Sequence, residues 1–153
     1  MDTYTYSHSD ADLVRQPIGY WAWAAHKAAV THIRAALAGF GLTQPRWWVL
    51  NQVCDATEGR TRQELYDTLH GYLDVGEALY EEIDALEAAG LIAPDGGRYR
   101  VTPEGVALRD AATGPVRRAL EEIHRNVSDE EYVATLKVLQ RMIRNVNGDA
   151  WHH

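Results

Sequence analysis

Between Thr43 and Val101 the chain carries three helix starts in succession and then one hairpin, an order that few folds accept. Thr43 before Gln44-Pro45 reads as the N-cap of a helix holding Trp47, Trp48, Leu50 and Val53, and Asp55 to Gly59 breaks the pattern. Thr61-Arg62-Gln63-Glu64 fits a capping box, in which the threonine hydroxyl accepts from the third helical amide and the glutamate reaches back to the cap. That helix runs to Leu69, and His70-Gly71-Tyr72-Leu73 reads as a turn. Asp74, followed three residues later by Glu77, predicts the next helix start, with Leu79, Ile83 and Leu86 facing inward and Gly90 as a left-handed stop. Leu91-Ile92-Ala93 and Tyr99-Arg100-Val101 are short strands on either side of the turn Pro94-Asp95-Gly96-Gly97-Arg98.

Longer helices flank this block. Pro17 suits a first helical turn, and the alanine-rich segment to Phe40 spaces Ile18, Trp21, Ala25, Ala29, Ile33, Ala36 and Phe40 by three and four residues. Gly39 and Gly41 end it. Thr102-Pro103-Glu104-Gly105 caps a fifth helix that Gly114-Pro115 is expected to bend or split, because proline lacks the amide. Ser128-Asp129-Glu130-Glu131 is a second capping box, opening a last helix with Tyr132, Leu136, Leu139, Ile143 and Val146 along one side.

Length limits the answer further, since 153 residues suffice for one domain with additional helices and are too few for two enzyme domains. No apolar run approaches the roughly 18 to 20 residues that span a bilayer, and Met1 to Asp10 is polar, so a cytoplasmic protein with no membrane association is expected. The single cysteine, Cys54, lies in an apolar segment and reads as a small buried hydrophobe. None of the seven histidines sits four residues from another on one helix face, so no metal site is expected.

Helix, short helix, turn, helix and hairpin is the order of a winged helix-turn-helix module. The fold class expected is therefore mainly α with a small β-hairpin wing. The phrases Gly41-Leu42-Thr43, Trp47-Trp48-Val49-Leu50, Gly90-Leu91-Ile92 and Val101-Thr102-Pro103-Glu104-Gly105, in that order and between long helices, resemble the MarR family of bacterial transcription regulators from about Ile18 to Val146. The resemblance implies a homodimer whose first, fifth and sixth helices interlock, residues 17–42 and 103–148 forming the dimerisation region. Residues 43–102 would then form the winged module, and 1–16 a polar tail. It also implies a small aromatic or phenolic ligand between the dimerising helices and the module, whose binding releases double-stranded DNA.

Charge cuts against that implication. The helix expected to enter the major groove, Val75 to Ala89, carries no lysine or arginine, while Leu73 to Gly90 holds Asp74, Glu77, Glu81, Glu82, Asp84 and Glu87. From Glu58 to Val101 there are ten acids and four bases, which accounts for nearly all of the chain's net charge of −7. The DNA-facing candidates are Arg60 and Arg62 at the start of the third helix, Arg98 and Arg100 on the wing, and Glu77, Tyr80 and Glu81 on the base-reading helix. Asp95 and Arg98 look like a remnant of the aspartate and arginine pair of the family's wing.

Four of the five tryptophans fall in two elements expected to pack together, Trp21 and Trp23 in the first helix and Trp47 and Trp48 in the second. Such a set fills a core or lines a pocket for a flat ligand. Trp21, Trp23, His26, Arg46, Trp47 and Trp48 are the ligand-binding candidates, with His26 as the first polar contact and Arg46 placed to hold a carboxylate or phenolate. No Ser/His/Asp order, phosphate-cradling glycine loop or CxxC pair is present, so neither catalytic residue nor cofactor is named. Two further readings stand beside the regulator. One is a winged-helix protein that has lost DNA binding and uses its aromatic pocket as a small-molecule binder or enzyme. The other is a module whose acidic helix docks on a basic protein.

Overall fold

Four helices begin where a hydroxyl meets a backbone amide of the first turn. In the computed structural model, which describes residues Tyr4 to His152, Thr43 accepts from Arg46 N, Thr61 from Glu64 N, Thr102 from Gly105 N and Ser128 from Glu131 N. Thr61 and Ser128 form complete capping boxes. The terminal residues 1–3 of the expected tail, and His153, lie outside the described residues.

The helices are α1 (Asp10–Leu13), α2 (Ile18–Ala38), α3 (Gln44–Asp55), α4 (Arg62–Leu69), α5 (Ala78–Ala88), α6 (Pro103–Ile123) and α7 (Asp129–Asn145). Between α5 and α6 lie the strands β1 (Ile92–Asp95) and β2 (Arg98–Val101), paired antiparallel from Ile92 opposite Val101 to Asp95 opposite Arg98. Gly96 and Gly97 have φ of 61° and 82°, the two left-handed positions that a tight two-residue hairpin requires. Among the described residues the wing is the one sheet of a mainly α architecture, and its strands reach further into the expected turn than the sequence suggests.

Leu37 and Leu42 meet Val49, Leu50 and Val53 of α3, Leu65 and Leu69 of α4, Leu79, Ile83 and Leu86 of α5, Ile92 of β1, and Ala112 and Val116 of α6 in one core. The core thus gathers residues 37 to 116. Of the stripe expected on α2, only Ile33 and Phe40 pack against it, and α7 has no buried residue.

Two expectations need correction. Asp74 does not open a helix: Tyr72–Asp74 is a single 3-10 turn in which Leu73 and Asp74 have φ of 49° and 52°, and α5 starts at Ala78 after Gly76, with φ of 51°. The expected Val75 to Ala89 helix is shorter because three left-handed residues are spent reversing the chain. Pro115 does not split α6, which runs unbroken from Pro103 to Ile123. Ala112, Val116 and Ala119 are buried on either side of it, and that packing offsets the lost hydrogen bond.

Gly105 marks where α6 meets the wing. A Cβ there would lie 2.1 Å from the Leu91 carbonyl oxygen and 2.8 Å from Val101 Cγ2. Gly105→Ala should therefore destabilise the fold by about 1 to 3 kcal/mol, read as a lower urea midpoint at unchanged slope. An unchanged midpoint would mean that the base of the wing moves aside freely.

Candidate nucleic-acid interface and aromatic clefts

The loop before α4 is stitched to the wing. Arg60 N donates to the Tyr99 carbonyl at 3.0 Å and Tyr99 N returns the bond to Arg60 O at 2.7 Å. Gly59, with φ of 78°, makes this possible, since a Cβ would sit 2.3 Å from Tyr99 O. The four expected arginines consequently gather along one seam between the start of α4 and β2.

None of the four is idle. Arg60 Nη2 donates to Gln52 Oε1 at 3.0 Å. Arg62 Nη1 lies 2.7 Å from Asp84 Oδ1 and its guanidinium sits 4.7 Å from the centre of the Tyr80 ring. Arg98 Nη1 donates to Glu64 Oε2 and to the Gly59 carbonyl, each at 3.3 Å. Arg100 pairs with Asp95 at 2.8 Å and donates to Thr57 O at 3.1 Å. Asp95 on this wing thus holds Arg100, with Arg98 turned to α4. The Arg62 hydrogen bond holds the Asp84 carboxyl below the usual range, and the Thr61 amide, then Arg98, does the same for Glu64. Exposed pairs of this kind contribute little to stability, so the guanidiniums can exchange a carboxylate for a phosphate at small cost.

On α5 the inward side is Leu79, Ile83 and Leu86, and the outward side shows Glu77, Ala78, Glu81, Asp84 and Glu87. Tyr80, a base-reading candidate, is half-buried and stacked on Tyr66 at 5.0 Å and 6°. Glu82 turns back to α3, accepting from Thr43 Oγ1 and lying 2.8 Å from Arg46 Nε. Arg46, a candidate ligand contact, is thereby committed to fixing α3 against α5.

The aromatic set divides into two. Trp21 and Trp23 cluster with Tyr20, at ring distances of 5.3 and 6.1 Å, near the start of α2. Because α2 continues to Ala38 before the chain turns, about 15 residues of helix, roughly 20 Å, separate them from α3. Trp21 borders an open cleft of about 540 Å³ with Tyr6, Leu13 and Ile18, and Trp23 lies under Lys27 at 5.2 Å. His26 is exposed. Trp47 packs against the core, while Trp48 meets Tyr72 at 6.0 Å and closes a cleft of about 280 Å³ with Asn51, Gln52 and Leu69. A histidine not among the candidates, His32, bridges α2 and α6, its Nε2 lying 2.6 Å from Glu122 Oε2. No sequence signal pairs residues so far apart. Cys54 is half-buried and its thiol is pushed up, by burial first and against the pull of Arg109.

No family model matches the chain, and no curated protein matches it. Solved structures do. A MarR family transcriptional regulator from Silicibacter pomeroyi superposes with a TM-score of 0.68 at 18% identity, covering 92% of this chain and 100% of that one. A Mycobacterium tuberculosis MarR family protein in complex with DNA gives 0.62 at 23% identity, covering 83% and 98%. The same family protein in complex with salicylic acid gives 0.58 at 22%, again over 83% and 98%. The fold is thus the winged helix-turn-helix of MarR-type structures. No helix among the described residues is long and apolar enough to cross a membrane.

Proposed function

We propose that the chain is a MarR-like, dimeric, ligand-responsive transcription regulator that grips duplex DNA mainly through phosphates. The observation that carries this reading is the convergence of Arg60, Arg62, Arg98 and Arg100 on the seam between α4 and the wing, beside the outward face of α5. In this reading residues 43–102 dock on the duplex, the arginines take phosphates, and Glu77 and Glu81 meet base edges, where a carboxylate accepts from cytosine. The M. tuberculosis DNA complex lends the fold a precedent for that docking.

Dimerisation is supported by what α2, α6 and α7 leave uncovered. Ile18, Tyr20, Trp21 and Trp23 of α2, Leu120 and Ile123 of α6, and Tyr132, Val133, Leu136 and Met142 of α7 are all exposed in the single chain. Apolar side chains left open along three helices point to an interface, and in this reading a second copy covers them with residues 17–42 and 103–148.

The ligand site we assign first is the cleft of Trp48 and Tyr72, with Trp21, Trp23 and His26 on the separate α2 face and Arg46 behind Glu82. A salicylate-like aromatic acid fits its chemistry: indole and phenol walls, with Asn51 and Gln52 as polar contacts. Gln52 Oε1 also accepts from Arg60, so a ligand hydroxyl that donates to this oxygen competes with a DNA-side arginine.

Fluorescence anisotropy on duplex DNA tests the reading. Binding should weaken with salt, and replacing Arg98 and Arg100 together by alanine should lower the log–log slope by about 4 per dimer, one per lost phosphate contact. Salt-independent binding, or none at low ionic strength, rejects it. A second reading draws on the acids paired with Arg62, Arg98 and Arg100: a small-molecule binder without operator. Tryptophan quenching by salicylate in a protein that never binds DNA would favour it.

A further inference from the structure

Beyond α7 the chain reverses, with Asn147 at φ of 57° and Gly148 N bonded back to Ile143 O, and delivers Trp151 to the end of α4. The indole Nε1 donates to the Thr68 carbonyl at 2.9 Å, and the ring lies 4.6 Å from that of His70. Its face covers Gly71 so closely that a Cβ there would sit 2.3 Å from Trp151 Cγ. Gly71 has φ of −84°, which any residue adopts. The backbone does not require glycine at this point; the docked indole does.

Trp151 also ends a column of rings. Arg62, Tyr66 and His70 recur every four residues along one face of α4. Tyr66 stacks on His70 at 4.8 Å and 15°, Tyr80 of α5 stacks on Tyr66 at 5.0 Å, and Arg62 covers Tyr80 while holding Asp84. The column therefore runs from the C-terminal segment to the outward side of α5. The turn that sets α5 leaves from the same place: His70 O accepts from Gly76 N at 2.9 Å, and Leu73, Asp74 and Gly76 all have positive φ. Such a turn persists only while its surroundings hold it.

We infer that Trp151 is a tether between α7 and α5. By clamping residues 68–71 it restrains the turn at 70–76, and through the stacked rings it fixes the setting of α5. A shift of α7 is thereby transmitted to the helix proposed to meet DNA. That regulatory meaning rests on the reading given above, whereas the tether itself needs no DNA.

Amide hydrogen exchange on the full chain without DNA tests it. In Trp151→Ala and in Gly71→Ala the Gly76 amide and those at the start of α5 should exchange roughly tenfold faster, the loss of one ring contact and one hydrogen bond. Trp151→Phe keeps a ring without the donor and should fall between. The double variant should exchange no faster than Trp151→Ala alone, because both changes remove the same contact. Unchanged exchange in either single variant, or additive effects in the double, overturns the tether. Titrating the same proteins with duplex DNA separates the two readings: exchange that responds in a protein without DNA affinity leaves the tether standing and removes the regulator.

Discussion

On the dimer proposed above the parent should sediment as two chains, and with Leu136 and Leu139 both changed to aspartate the protein should sediment as one. None of the 17 residues of α7 is buried in the single chain, and Leu136 is 40% exposed there. A helix of that length holds only marginally in water by its own hydrogen bonds, so its apolar side needs a partner. Covering the two fifths or less of each side chain that the single chain leaves open is worth roughly 2 to 5 kcal/mol over the four leucines of a dimer. Aspartates there add the cost of burying charge, so association should weaken by about two or more orders of magnitude. Far-ultraviolet circular dichroism should fall with the mass, as α7 frays. A variant that still sediments at twice the chain mass with full helicity would show that α7 lies on no second copy, and would remove the interlocked dimer.

What the sequence discloses here is what is local. Thr43, Thr61, Thr102 and Ser128 were legible as caps because each hydroxyl meets an amide three residues on, a distance fixed by helix geometry alone. The same reasoning misplaced the start of α5. Asp74 followed by Glu77 has the composition of a cap, but Leu73 and Asp74 adopt left-handed angles that only the packing around them imposes. Pro115 shows the converse: a strong local breaker is overruled by buried neighbours on one helix face.

At the candidate interface, sequence counting found the arginines and the acids but not who holds whom. Arg62 with Asp84 and Arg98 with Glu64 are pairs of distant positions, made only when α4, α5 and the wing close on each other. The pairing changes the meaning of the acidic count, since Glu82 and Asp84 have cationic partners while Glu77, Glu81 and Glu87 remain outward. The aromatic residues look like one group in the sequence because α2 and α3 are neighbours there. The length of α2 carries Trp21 and Trp23 away from α3, and the fifth tryptophan, Trp151, took a place near the module that no periodicity announced.

Those three outward glutamates give the other large effect. Changing Glu77, Glu81 and Glu87 to glutamine removes three negative charges from each lobe and leaves the pairs of Arg46 with Glu82 and Arg62 with Asp84 in place. Two unit charges 4 Å apart in water interact by about 1 kcal/mol, so relieving even half of that at six sites favours DNA by about 3 kcal/mol. Non-specific affinity at low salt should accordingly rise about a hundredfold, and the gain should shrink as salt screens it. Base preference should shift at the same time from cytosine toward adenine, because a carboxylate only accepts, from cytosine N4, whereas a glutamine amide also donates and pairs with both adenine N6 and N7. The core residues of α5, Leu79, Ile83 and Leu86, are untouched, so the melting temperature should hold. If affinity stays as it was, α5 does not face the duplex, and the acidic side of the helix belongs to some other encounter than DNA.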